Sequence, residues 1–120
     1  MPTAVTGRQL SNVVPPRAAA RLRAFRREAE NALPGMVERV VLFGSRARGD
    51  ARSDSDYDVA VFVWGMTDRR PIDHALADTA YPHILAGFHI RPLAVPAEYL
   101  ERPRAHALVR EITREGIVVS

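Results

Sequence analysis

The residues best placed to do chemistry are Asp54, Asp56 and Asp58 in the run SDSDYD, which follows the Gly44-Ser45 pair of LFGSRARG. Carboxylates at i and i+2 of a strand share one face. Asp56 and Asp58 can therefore turn their oxygens toward a single hard cation such as Mg²⁺, which commonly binds through one or two carboxylates plus substrate phosphates. Gly44 and Gly49 permit backbone angles and close approaches that bulkier residues do not. Beside them, the N–H groups opening a short helix, the Ser45 hydroxyl and the guanidinium groups of Arg46 and Arg48 suit phosphate oxygens. The chemistry this implies is metal-assisted phosphoryl or nucleotidyl transfer. A solvated Asp-Ser-Arg turn has the same composition, so spacing alone leaves both readings open. The phosphate-loop pattern GxxxxGK[ST] is absent.

These residues need rigid elements to hold them. The nearly continuous apolar run Val37, Val40, Val41, Leu42, Phe43 reads as a strand covered on both faces, ended by Gly44. A short helix over Arg46 to Arg48, capped by Ser45, is expected next. A second strand runs from about Tyr57 to Trp64. It turns Tyr57, Val59, Val61 and Val63 one way and Asp56, Asp58, Ala60 and Phe62 the other. A helix is expected over Ile72 to Leu85, a third strand over His89 to Val95, and a helical turn over Ala97 to Leu100. The last helix should run from Pro103 to Glu115 with Gly116 at its C′ position. Ile117 to Val119 would add a short strand. Before all of these, RAAARLRAFRREAENALPG is a helix with a stripe of Ala20, Leu22, Phe25 and Ala29, stopped by Pro34 and Gly35. Residues 1–14 read as a flexible arm and 15–120 as one domain. The fold class is α+β, with a three- or four-stranded mixed sheet packed against helices.

With 120 residues, the chain suffices for one core and not two. No cysteine is present, which excludes disulfides, thiolate metal sites and cysteine nucleophiles. All 17 basic residues are arginine, so a lysine nucleophile or Schiff base is excluded as well. The four histidines, His74, His83, His89 and His106, do not form a zinc spacing and are expected in structural or surface roles. Net charge is only +3, and the arginines are scattered rather than interleaved with aromatics, so direct nucleic-acid binding is not expected. No apolar run approaches membrane-spanning length and no signal peptide is evident, which makes a cytoplasmic protein without membrane contact the expectation.

LFGSRARG followed by SDSDYDVAVFV resembles the minimal nucleotidyltransferases of the DNA polymerase beta superfamily. Their signature is an apolar strand, Gly-Ser, a short gap, and Asp-x-Asp on the next strand. Gly44 and Ser45 match its first element, and Asp56 and Asp58 its metal-binding pair. The resemblance extends more weakly through ALADTAYPHIL, FHIRPLAV and VREITREGIVV. It implies a nucleotidyltransferase domain over residues 15–120, with Mg²⁺ as cofactor and a nucleoside triphosphate, ATP, as substrate. AMP would pass to a hydroxyl. It also implies a protein partner, since such small proteins resemble antitoxins paired with a HEPN-type ribonuclease toxin. Some of these transfer AMP to the toxin and others act by binding. Homo-oligomerisation is left open.

The chain departs from the family in one respect. A third carboxylate usually sits on the next strand, yet FHIRPLAV has none, and His89 or Arg91 stands in that region. Arg91 facing inward would oppose a catalytic metal while pairing with phosphate or Asp58. Facing outward, it would leave Ile90 or Pro92 at the site. Either arrangement predicts weak transfer unless a partner, Asp54 or Glu98 supplies a group.

Overall fold

The computed structural model describes residues 8–120. A 3₁₀ turn over Leu10–Asn12 leads into α1 (Pro16–Ala32), β1 (Val37–Phe43), α2 (Ser45–Arg48), β2 (Tyr57–Val63), α3 (Arg69–Leu85) and β3 (Ile90–Pro96). After 3₁₀ turns over Ala97–Glu101 and Pro103–Ala105 come α4 (Ala107–Glu115) and β4 (Ile117–Val118). The four strands form one mixed sheet in the order β3-β2-β1-β4. β1 pairs antiparallel with β2 and β4, whereas β2 and β3 are parallel. A parallel pair needs a long crossover, which α3 supplies. The expected α+β architecture with a mixed sheet is what forms.

The period-2 pattern of β2 divides the interior as its sequence requires. Tyr57, Val59, Val61 and Val63 join Val40 and Leu42 against Leu22, Phe25 and Ala29 of α1 and Leu76 of α3. Ala60 and Phe62 join Val41, Val95, and Val109 and Ile112 of α4 on the other face. Full burial contributes about 1.5–3 kcal/mol for each large apolar side chain. From Val59 to Val63 every residue of β2 is buried. That sum exceeds the roughly 1–3 kcal/mol that partial desolvation of a polar group costs. The strand can therefore hold a carboxylate at its start without losing its place.

Other expectations are corrected at the edges of elements. On α1 the buried alanines are Ala18, Ala19 and Ala29, and Ala20 is exposed. Pro16 at the first turn sets that helix register. The expected arm over residues 1–14 extends beyond the described residues at 1–7. From residue 8 on, the chain is packed: Leu10 and Val14 are buried, and Arg8 donates to the carbonyls of Ala47 (2.8 Å) and Glu115 (2.9 Å). α3 begins three residues early because Asp68 caps it, accepting from the Arg70 N–H. The last helix is split, since His106 adopts an extended conformation between the Pro103–Ala105 turn and α4.

His83 is a buried pin between helices. It contacts Arg21 at Nδ1 (3.2 Å) and Glu28 at Nε2 (2.7 Å). Among the described residues, no helix is long and apolar enough to cross a membrane.

Gly116 ends α4 with φ −72° and ψ 158°, not in the left-handed conformation expected of a C′ glycine. Space explains it: a Cβ there would fall on the Ile112 carbonyl oxygen and on Cγ1 of Val41. Gly116→Ala and Gly116→Asn should each destabilise the protein by about 1–3 kcal/mol. Urea unfolding checks this. Tolerance of asparagine would mean that the position is selected by conformation rather than by contact.

Candidate active site

The site grows from the end of β1. Register pairs Phe43 with Asp58 and, on the other side of β2, Asp58 with Arg91. Gly44 has φ 76° and ψ −158°, a region that only glycine occupies readily. A Cβ built on Gly44 would lie 2.6 Å from Oδ2 of Asp58. The missing side chain at position 44 is thus what lets the carboxylate rest against the turn. Gly44, not Ser45, occupies the cap position of α2; Ser45 is the first helical residue and makes no side-chain capping bond. Ala47 and Arg48 donate back to the Gly44 carbonyl, and buried Ala47 anchors the short helix in the core. The N–H groups that open a helix have no partner within it, so those of Ser45 and Arg46 start at the Asp58 side.

The arginines of α2 are engaged elsewhere. Arg46 donates to the Ser55 carbonyl from Nε (3.2 Å) and Nη2 (2.9 Å), and from Nη2 to that of Ser53 (3.3 Å). Its guanidinium lies over the Tyr57 ring, 4.3 Å from the centroid. It clamps the loop that delivers Asp56. Arg48 binds Asp50 and Glu115, each at 3.3 Å. Its pKa is raised, first by the hydrogen bond to Asp50 and then by that to Glu115.

Arg91 faces inward. Its Nε donates to Oδ1 of Asp58 at 2.8 Å, and its Nη1 lies 3.7 Å from Oδ2 of Asp56. Asp58 raises the Arg91 pKa, chiefly through that hydrogen bond, so the guanidinium stays charged. The expected pair Asp56 and Asp58 is therefore brought together, with the Arg91 guanidinium reaching both carboxylates. Among the described residues no group of three or more His, Cys, Asp or Glu could hold a metal ion. Asp54 is exposed on the loop, His89 is exposed just before β3, and Glu98 lies in the turn after it. Beside the pair opens a pocket of about 400 Å³ lined by Phe43, Asp58, Arg91, Pro92, Leu93 and Leu108. Nothing in the strand and turn signals pointed to Leu108, which enters from α4 and is half exposed.

Comparison with known proteins bears on the family of the chain. The family described as nucleotidyltransferase domain matches residues 22–119. Over 45 residues the chain is 40% identical to a candidate protein adenylyltransferase of Methanocaldococcus jannaschii, a stretch that covers 38% of this chain. The chain spans 46% of that relative's length. A crystal structure of a candidate nucleotidyltransferase from Sulfolobus solfataricus is 17% identical, with a TM-score of 0.49 over 94% of this chain and 89% of that one.

Gly44→Ala would combine an unfavourable backbone angle with a side chain against the Asp58 carboxylate. A loss of about 1–3 kcal/mol in unfolding free energy is expected, together with displacement of Asp58. Chemical denaturation and a crystal structure of the variant check both. An alanine variant of wild-type stability with Asp58 unmoved would contradict the cradle.

Proposed function

This chain belongs to the nucleotidyltransferase-domain family, and on that premise we propose that it transfers AMP from ATP to a hydroxyl on a partner protein. The observation carrying this reading is the seating of Asp58 against Gly44 with Asp56 beside it, which joins the carboxylates to the phosphate-type turn. The archaeal relative's description as a protein adenylyltransferase favours AMP and a protein acceptor. A cytoplasmic location belongs to the same reading.

The donor set fits one hard cation whose remaining ligands are phosphate oxygens and water. Asp56 and Asp58 would hold it. Held there, the ion would supply charge withdrawal from the phosphate chain. The residues of the chain do the rest. Ser45 offers its N–H and hydroxyl to the terminal phosphates, beside the close approach that Gly44 permits. Arg46 fixes the loop that carries Asp56. Arg48 would need to leave Asp50 and Glu115 before it could touch phosphate. The pocket bordered by Phe43, Asp58, Arg91, Pro92, Leu93 and Leu108 opens beside the carboxylates and would receive the acceptor side chain. No carboxylate stands ready to deprotonate the acceptor, so unaided transfer should be slow; a positioned base commonly supplies about 10²–10⁴-fold.

A second reading has its own observation. Arg91 pairs with Asp58 on the strand where the resemblance implies a third acid, which favours a protein that neutralises a partner, such as a HEPN-type ribonuclease, by binding alone.

Incubation with ATP labelled at the α-phosphate, Mg²⁺ and cell lysate separates the two. The transfer reading expects label on a protein, lost in the Asp56→Asn/Asp58→Asn double variant. It also expects Arg91→Asp to raise labelling by roughly tenfold or more. Labelling that survives the double variant would contradict the site. Capture of a partner without label in any fraction would leave the binding reading.

A further inference from the structure

Oδ1 of Asp58 accepts from the Arg91 guanidinium, and Oδ2 lies in the space over Gly44. Its side chain is only 17% exposed, whereas that of Arg91 is 68% exposed. The carboxylate is the fixed member of the pair and the arginine the movable one. A divalent cation settling between Asp56 and Asp58 would use the oxygens that Arg91 now faces, and it carries the same sign of charge. Guanidinium and bare cation therefore exclude one another. Arg46 and Arg48 cannot take over, being tied to the Ser53 and Ser55 carbonyls and to Asp50 and Glu115.

A polyphosphate changes the balance. Its oxygens offer a guanidinium forked, charge-assisted bonds, whereas Arg91 now makes one hydrogen bond to Asp58 and a longer approach of 3.7 Å to Asp56. The open pocket beside Arg91, lined by Pro92, Leu93 and Leu108, gives its side chain room to turn. Release of the carboxylates and capture of the phosphates then become one event.

We infer that Arg91 is a resident counter-ion that keeps a bare divalent cation off Asp56 and Asp58 and admits it only together with a polyphosphate. This rests on the nucleotide reading of the site and adds an order to it: ion and triphosphate enter as a unit. Binding of the two is thereby positively coupled, and the coupling runs through one side chain.

The test uses Mn²⁺ alone, followed by electron paramagnetic resonance of the free ion, and inorganic tripolyphosphate alone, followed by equilibrium dialysis. Arg91→Gln and Arg91→Ala should bind Mn²⁺ about tenfold or more tightly than wild type, because an opposing charge is gone. Both variants should bind tripolyphosphate about tenfold more weakly, because a phosphate contact is lost. Adding Asp58→Asn to Arg91→Gln should cancel the gain in Mn²⁺ binding. A merely structural role for Arg91 would weaken both ligands, so the opposite signs identify the counter-ion. Mn²⁺ binding that is no tighter in either variant would overturn the inference, and so would tight Mn²⁺ binding by the wild type alone. Should wild type bind no tripolyphosphate at all, the nucleotide reading falls with it. Should it bind while both ligands respond with the same sign, only the role of Arg91 falls.

Discussion

Asp58 can sit where it does because residue 44 has no side chain. The carboxylate lies in the volume that any Cβ at that position would enter, and the turn adopts an angle that penalises every other residue. Much of the surrounding structure serves this contact. β2 is buried on both faces from Val59 to Val63, which fixes the carboxylate along the strand. Pairing with β1 sets Asp58 opposite Phe43, next to the turn. Pairing with β3 sets Arg91 on the other side. The Arg46 clamp holds the intervening loop so that Asp56 reaches the same face.

The parts governed by local rules were legible in the sequence. Alternation along Tyr57 to Val63 placed Asp58 on the side of Ala60 and Phe62, and the structure packs those residues on the α4 face. The apolar run before Gly44 gave β1 its limits as observed. What escaped depends on contacts between distant segments. Which way Arg91 points follows from the parallel register of β2 and β3, and no pattern within FHIRPLAV specifies that register. Arg46 has the residue type of a phosphate ligand, but its partners are carbonyls of a loop whose path the sequence does not state. Gly116 reads as a helix terminator of the left-handed kind, yet it is small because Val41 and the Ile112 carbonyl crowd it. His83 follows the buried Ala80 of α3 at a spacing of three, which a helical period of 3.6 keeps on the same side. The structure buries the histidine because Glu28 and Arg21 satisfy its nitrogens.

Electrostatics tie the fold to the function. Two carboxylates crowded at a strand start repel each other, and a permanently charged guanidinium relieves this without a metal. On the proposed reading, the same arrangement leaves no carboxylate beside the pair to deprotonate an acceptor. Membership in the nucleotidyltransferase-domain family and an arginine paired with Asp58 are compatible on the proposed reading, in which the nucleotide draws Arg91 away and the acceptor protein completes the site.

The central claim is that nucleotide binds where Gly44, Asp58 and Arg91 meet. Backbone amide chemical-shift mapping during titration with Mg²⁺ and a non-hydrolysable ATP analogue tests it directly. The account predicts saturable shifts concentrated at Gly44 to Arg46, Asp56 to Asp58 and Arg91. Shifts centred on another surface, or none at millimolar analogue, would contradict it.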